Sequence, residues 1–148
     1  MTIQKVKLQM VKEPSAIYTA EKIATSMDIV KLINAHEEYE LTPTEKIILI
    51  GLNTKNQVNI YTEIASGAAG YANFKVNNLF KPLLLSNSDK FILVHNHPSG
   101  DSTPSQEDIK LTKQIKNASK LMGIMLLDHI VIGDTNYTSI IYEKGGEI

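Results

Sequence analysis

Two histidines and one aspartate have the types and the spacing to bind a metal ion: His95, His97 and Asp108. The imidazoles stand at positions i and i+2, directly after the apolar run 91–94, which is typical of a buried strand. Because alternate strand residues face the same side, both rings can converge on one point. Two nitrogen ligands and one carboxylate suit zinc and leave a fourth position for water, so the pattern predicts a hydrolase.

Asp108 lies near the start of a helix that the sequence predicts over about residues 104–122, with Thr103 as its N-cap. This start leaves Ser105 and Asp108 inside the helix, although their Ser-x-x-Asp spacing also resembles a capping box. The buried stripe of the helix is predicted to contain Leu111, Ile115, Ala118 and Met122. Extended backwards, the stripe reaches Asp108 and then Ser105. Because a buried, unpaired carboxylate is costly, these positions favour a metal site over capping alone.

Hydrolysis at a zinc site also needs a base that takes a proton from the metal-bound water. We assign this role to Glu45, because it stands at the polar edge of the apolar segment 46–52, a predicted central strand. Glu37, Glu38 and Glu40 are alternatives, but their polar run is typical of a solvated surface.

Other interpretations of the histidines are weaker. Taken singly, one histidine would fit the core and the other a loop, without any metal. The letters H-N-H do not indicate an HNH nuclease, whose histidines lie far apart in sequence, and the adjoining Asp-His pair of metallo-β-lactamases is missing. Asp128 and His129 lie between apolar residues on a later strand. A second metal site there is the alternative to a hydrogen-bonded pair in the core, which we favour.

Composition is that of a globular protein, with 43% hydrophobic and 21% charged residues, and the 148 residues suit one domain, 1–148. Without cysteine, any metal must be held by His, Asp or Glu. All 15 basic residues are lysine and the net charge is -1, which argues against nucleic-acid binding without excluding it. No signal peptide and no apolar run of ~20 residues is visible, so we expect a cytoplasmic protein that does not enter a membrane.

Alternating strand and helix patterns predict an α/β sandwich in which helices cover a largely antiparallel sheet. The first helix is expected to start behind Ser26 as N-cap, with Asp28 in its first turn. The predicted strands are 3–11, 46–52, 58–64, the histidine strand from 91, 124–132 and 137–142, and the predicted helices are 26–36, one through 79–85, and 104–122.

The same residues carry a resemblance to a known family. His95-x-His97, seven residues and Ser105-x-x-Asp108 match the motif of the JAMM (JAB/MPN) zinc metalloproteases. The fuller string HNHPSGD…PSQED, with Glu45 before a strand that ends in LNTKN, resembles the RadC branch of that superfamily. LLDHIVIG and the residues after it extend the similarity, which covers about residues 28–142.

The resemblance implies a three-layer α/β/α sandwich of the cytidine-deaminase-like type, with one zinc ion per chain held by His95, His97 and Asp108. It also implies that Glu45 activates the water, and that Ser105 polarises the scissile carbonyl or stabilises its oxyanion. A peptide or protein is the expected substrate; neither its identity nor the oligomeric state follows from the sequence.

The sequence departs from the RadC pattern at two places, and a second function is the alternative to the first. RadC-like proteins carry an upstream helix-hairpin-helix region that this sequence lacks, and the family tends to show Pro-Arg-Glu where this chain has Val76-Asn77-Asn78. The alternative to a hydrolase is an accessory module of DNA repair or of a mobile element, in which the metal site is structural or vestigial. The RadC label points toward DNA repair, but the missing arginine, the near-neutral charge and the absent helix-hairpin-helix region argue against it.

Overall fold

A five-stranded sheet forms the centre of the described protein, and helices pack on both of its faces. The computed structural model describes residues 22–36, 43–67 and 74–143, so the predicted strand 3–11 lies outside the described residues. In chain order the elements are α1 (Ser26–His36), β1 (Lys46–Leu52), β2 (Val58–Ser66), α2 (Val76–Leu85), β3 (Lys90–Asn96), α3 (Gln106–Met122), β4 (Met125–Ile132), β5 (Tyr137–Ser139) and α4 (Ile140–Glu143).

The sheet has the strand order β2-β1-β3-β4-β5 and is mixed but largely antiparallel, as predicted. Only β3 and β4 pair in parallel among the described strands, because α3 carries the chain back between them. β1 runs antiparallel to β3, with Ile47 opposite His95. The start of β1 therefore meets the carboxyl end of β3, and this edge of the sheet positions the site described below.

Apolar side chains of the central strands alternate between two clusters, one on each face of the sheet. α1 covers the face that carries Ile48 and Ile50. α2 and α3 cover the opposite face, which carries Ile47 and Leu49. The three-layer α/β/α architecture is thereby confirmed, and burial on both faces explains the continuous apolar runs in the middle of β1 and β3.

Two predicted boundaries away from the site are wrong for local reasons. The last strand ends at Ser139 rather than Tyr142, and α4 follows, with the Tyr142 N–H donating to Ser139 Oγ at 3.3 Å. Thr25, rather than Ser26, caps α1. The Asp28 N–H donates to Thr25 Oγ1 at 3.3 Å, and the Thr25 N–H donates to the Asp28 carboxylate at 2.8 Å. This reciprocal pair satisfies two backbone donors at the helix start.

Candidate metal centre

Four side chains with metal-binding atoms meet at the carboxyl end of β3: Glu45, His95, His97 and Asp108. Glu45 directly precedes β1, and Asp108 lies in the first turn of α3. His95 lies in β3, and His97 follows the last residue of that strand. The ligand atoms all lie within 4.8 Å of one another. The structure therefore brings together the three residues predicted as ligands and the residue predicted as the base.

The Nε2 atoms of the two imidazoles and the two carboxylate oxygens of Asp108 form a tight cluster of candidate ligand atoms. His95 Nε2 lies 3.0 Å from His97 Nε2 and 3.3 Å from Asp108 Oδ1. His97 Nε2 lies 3.5 Å from Asp108 Oδ2. Around a tetrahedral zinc ion, with bonds of roughly 2.0–2.1 Å, neighbouring ligand atoms are about 3.3 Å apart. The three residues therefore fit a tetrahedral zinc ion, and they present the two nitrogens and one oxygen that such a site uses.

His97 is oriented by the backbone of the loop between β3 and α3. Its Nδ1 lies 2.7 Å from the carbonyl oxygen of Asp101, which can only accept, so Nδ1 carries the hydrogen and donates. The hydrogen-bonded carboxylate of Asp108 is the main cause that raises the pKa of His97 above its ordinary value. Partial burial opposes this effect, and the Asp101 carbonyl and the charge of Glu45 reinforce it. The surroundings of His97 therefore favour a positive charge at this point.

Asp108 is at once part of the site and part of a helix cap. Ser105, not Thr103 as predicted, is the N-cap of α3, and Asp108 is its partner in a capping box. The Ser105 N–H and hydroxyl donate to Asp108 Oδ2 at 2.6 and 2.7 Å, and the Asp108 N–H donates to Ser105 Oγ at 3.1 Å. A carboxylate has several lone pairs, so Oδ2 can serve the cap while Oδ1 faces His95. Asp108 can therefore cap the helix and bind a metal at the same time, whereas from the sequence alone these two roles were treated as alternatives.

The predicted inward stripe of α3 is correct in its middle and wrong at both ends. Ser105 is exposed, because an N-cap residue has extended backbone and cannot continue a helical stripe. Met122 is 42% exposed at the other end. The buried residues of α3 are Asp108, Leu111, Thr112, Ile115 and Ser119. Asp108 thus stays on the inward face, fully buried, as its position in the stripe predicts.

Sequence reasoning missed that His129 supports the site. Its Nε2 lies 2.8 Å from Nδ1 of His95, and its Nδ1 lies 2.7 Å from the Thr112 hydroxyl. Burial holds the pKa of His129 well below its ordinary value, and the neighbouring His95 acts in the same direction. Asp128 faces the other side of the sheet, where Ser26 and Ser139 donate to its carboxylate at 3.0 and 2.9 Å.

Asp128 and His129 are therefore both hydrogen-bonded in the core, as predicted, but through separate networks. Their one direct link is the His129 backbone N–H, which donates to Asp128 Oδ1 at 2.8 Å. Within the described ranges, the only group suited to a metal is the one around His95, so no second site forms at this pair. Alternate residues of a strand share a face, so His129 could have been predicted to lie beside His95. That prediction would have required knowing that β3 and β4 are paired.

The sequence also matches a known family over most of its length. A family model described as the RadC-like JAB domain matches residues 23–146. The chain belongs to the RadC-like JAB domain family. UPF0758 protein CPE2144 of Clostridium perfringens is 38% identical over 122 residues, or 82% of this chain and 53% of that protein. A UPF0758 protein of Clostridium botulinum is 43% identical over 124 residues, or 84% of this chain and 53% of that protein.

The RadC-like JAB family is related to the JAMM metalloproteases, so the resemblance carried by the histidine motif is confirmed at the level of the family. The names of the relatives state no activity. The chain spans about half the length of the curated relatives it matches. Among the helices of the described ranges, none is both long and apolar enough to cross a membrane.

Proposed function

We propose that this RadC-like JAB domain is a zinc-dependent peptidase or isopeptidase, with one zinc ion per chain bound by His95, His97 and Asp108. The supporting observation is the spacing of their candidate ligand atoms. His95 Nε2 lies 3.0 Å from His97 Nε2 and 3.3 Å from Asp108 Oδ1, and the other carboxylate oxygen of Asp108 lies 3.5 Å from His97 Nε2, all close to the ligand separations of a tetrahedral site. Bound zinc would polarise a carbonyl group and lower the pKa of a water molecule to about 7.

Glu45 is the general base in this proposal. It is half-buried at the polar start of β1, and its carboxylate lies within 4.8 Å of the other three groups. At that separation a carboxylate can reach a water molecule held among the ligands. Glu45 takes a proton from the attacking water and then delivers it to the leaving amine, which must be protonated before it departs.

Ser105 is the proposed donor to the scissile carbonyl or its oxyanion. Its side chain is exposed beside Asp108, where an approaching substrate can reach it. The hydroxyl donates its hydrogen to Asp108 Oδ2 at 2.7 Å, so its O–H must turn about the Cβ–Oγ bond before it can donate to a carbonyl. Such a donor stabilises the negative charge that develops on the carbonyl oxygen.

Among the described residues, one side of this centre is open to a substrate. His95 and Asp108 have side chains that are 0% exposed, so β4 and α3 close the site from behind. The side chain of His97 is 17% exposed, and Glu45 is half-buried. A peptide therefore reaches the ligands past His97, Glu45 and Ser105, and the last two are the groups proposed to act on it.

The test of this function is hydrolysis that depends on zinc. We expect the full chain to cleave members of a fluorogenic peptide library, to lose this activity in a chelator and to regain it with added zinc. His97→Ala should abolish both zinc retention and hydrolysis. Glu107→Gln, which changes an exposed acid next to Asp108, should preserve both. Cleavage that persists in the chelated protein or in His97→Ala, or no zinc-dependent cleavage anywhere in the library, would contradict the proposal.

A stripe of lysines on α3 supports the alternative, a nucleic-acid-binding accessory module. Lys110, Lys113 and Lys120 are exposed and Lys116 is half-buried, and their spacing places all four on one side of the helix. Clustered lysines are typical of surfaces that contact phosphate groups. DNA affinity that falls steeply with salt and is lost in Lys110→Gln/Lys113→Gln would favour this function. If the protein bound neither duplex nor single-stranded DNA at low salt, this alternative function would be contradicted.

A further inference from the structure

A chain of three hydrogen bonds connects the backbone of α3 to the predicted ligand His95. Thr112 Oγ1 lies 2.6 Å from the carbonyl oxygen of Asp108 and 2.7 Å from His129 Nδ1. His129 Nε2 lies 2.8 Å from His95 Nδ1. Thr112, His129 and His95 are all 0% exposed. Because water does not reach these groups, each hydrogen atom in the chain needs an acceptor within the protein.

The direction of each of the three hydrogen bonds follows from the first one, at the carbonyl oxygen of Asp108. A carbonyl oxygen only accepts, so Thr112 donates its single hydroxyl hydrogen to Asp108. The Thr112 oxygen must then accept a hydrogen from His129 Nδ1. His129 is 0% exposed, and burial disfavours a charged ring; with its one hydrogen on Nδ1, its Nε2 carries none. His129 Nε2 therefore accepts from the Nδ1–H of His95.

His95 thus carries its hydrogen on Nδ1 and turns an unprotonated Nε2 toward Asp108 and His97. Only an unprotonated ring nitrogen can bind a metal. We propose that His129 and Thr112 are positioning residues that hold His95 in this tautomer and thereby set the zinc affinity of the site. The inference rests on the metal-binding part of the proposed function, but not on the peptidase chemistry.

The partner of His95 is itself a histidine, His129, and this has an electrostatic consequence for the site. The usual partners of a metal-binding histidine are a carboxylate, a backbone carbonyl or a water molecule. A neutral imidazole orients His95 without adding negative charge to the site. The ligands then carry only the charge of Asp108, so a bound divalent ion retains a net positive charge and acts more strongly on the pKa of water.

The first test is the tautomer of His95 in the metal-free protein, read by ¹⁵N NMR of the histidine rings. The wild type should show hydrogen on Nδ1 of His95 and of His129. Thr112→Val keeps the shape of the side chain but removes the hydroxyl, so we expect the other His95 tautomer to become populated. Thr112→Ser keeps the hydroxyl and should resemble the wild type.

The second test is the zinc Kd, measured by competition with a chromophoric chelator. Loss of an outer partner of a metal-binding histidine weakens binding by roughly 10–100-fold, and we expect Thr112→Val near the lower figure and His129→Leu near the upper one. His129→Gln should restore part of the affinity, because its amide oxygen can accept from His95 Nδ1. Should His129→Leu fail to fold, the Thr112 pair decides the question alone.

Ser119→Ala is the matched control for a purely structural role. Ser119 is also buried in α3, and its hydroxyl donates to the carbonyl of Ile115 at 2.8 Å, four residues earlier, as the Thr112 hydroxyl does to Asp108. We expect Ser119→Ala to lower thermal stability without changing the His95 tautomer or the zinc Kd.

Two results would overturn the inference: hydrogen on Nε2 of His95 in the metal-free wild type, or a tautomer and zinc Kd in Thr112→Val that match those of Ser119→Ala. The NMR measurement needs no metal. A chain that bound no zinc would therefore contradict the proposed function, while the tautomer of His95 would still decide whether His129 and Thr112 position it.

Discussion

The candidate metal centre has two halves that are supported in different ways. The buried half consists of His95 and Asp108, whose side chains are 0% exposed and lie against α3 and β4. The open half consists of His97, with its side chain 17% exposed, together with half-buried Glu45 and exposed Ser105. In the proposed function, the buried half fixes the geometry of a bound ion and the open half meets the substrate.

The two imidazoles show the difference most clearly. Nδ1 of His95 is held by another side chain, His129, within a network that excludes water. Nδ1 of His97 is held by a backbone carbonyl, that of Asp101, in the loop between β3 and α3. A side-chain support can be removed by one substitution, whereas a backbone support survives any substitution that leaves the loop in place. We therefore expect the zinc affinity of the site to fall when the buried half is altered and to change little when residues around His97 are altered.

The largest effect is expected in the buried half, from Asp108→Ala. It removes both a ligand and the capping box of α3, so zinc retention should be lost and the free energy of unfolding should fall by about 1–3 kcal/mol. Asp108→Asn keeps an oxygen for the Ser105 donors and should recover most of the stability but not the zinc. Metal analysis and urea unfolding measure the two effects; wild-type zinc affinity in Asp108→Asn would exclude Asp108 as a ligand.

In the open half, Glu45→Gln should separate binding from catalysis. The variant keeps the size of the side chain but cannot accept a proton, so we expect a rate loss of about 10²–10⁴-fold. Zinc content and stability should stay close to those of the wild type, since the ligands His95, His97 and Asp108 are unchanged. Rates on the best peptide of the library, beside metal content, test this. If the variant hydrolysed the peptide as fast as the wild type, Glu45 would not be the general base.

Ser105 belongs to the open half but also caps α3, and two variants distinguish these roles. Ser105→Ala should lower the free energy of unfolding by about 1 kcal/mol, whereas Ser105→Gly should lower it by only a few tenths, since glycine is tolerated at an N-cap. Both variants lack the hydroxyl, so both should lose about 10²-fold in rate if the hydroxyl acts on the carbonyl. A rate that follows stability instead, with Ser105→Gly near the wild type, would leave Ser105 with the capping role alone.

The smallest effect is expected from Asp101→Asn, beside His97. Only the backbone carbonyl of Asp101 orients His97, and an amide side chain can still accept from the Thr103 N–H, as the Asp101 carboxylate does at 2.9 Å. We therefore expect a zinc Kd within about threefold of the wild type, in contrast with Thr112→Val. A tenfold weaker Kd in Asp101→Asn would mean that the two imidazoles are not supported differently.

The parts of the centre that are local in sequence could be predicted from it. His95 and His97 follow from the alternation of one strand, and Asp108 follows after a short loop on the inward face of the next helix. Glu45 needed more than position, since several nearby acids were alternatives and the family pattern decided among them. The predicted sheet class and the α/β/α layers were confirmed, because strongly periodic apolar segments fix both.

What the sequence could not predict depends on contacts between distant segments. His129 reaches His95 only because β3 and β4 pair in parallel, with a register shift between Phe91 and Ile92. No local pattern encodes that shift. The cap of α3 was assigned to Thr103 because Thr-Pro satisfies the rules for a helix start. Ser105 takes that place in the structure, because the carboxylate of Asp108 on the inward face can bond both its N–H and its hydroxyl.

The zinc stoichiometry of the full chain tests the central claim most directly. Protein purified after zinc-replete expression should contain about one zinc ion per chain by mass spectrometry of the metal, and His97→Ala should contain none. Glu107→Gln should match the wild type. A wild-type chain without zinc, or a His97→Ala variant with an undiminished zinc content, would contradict the account.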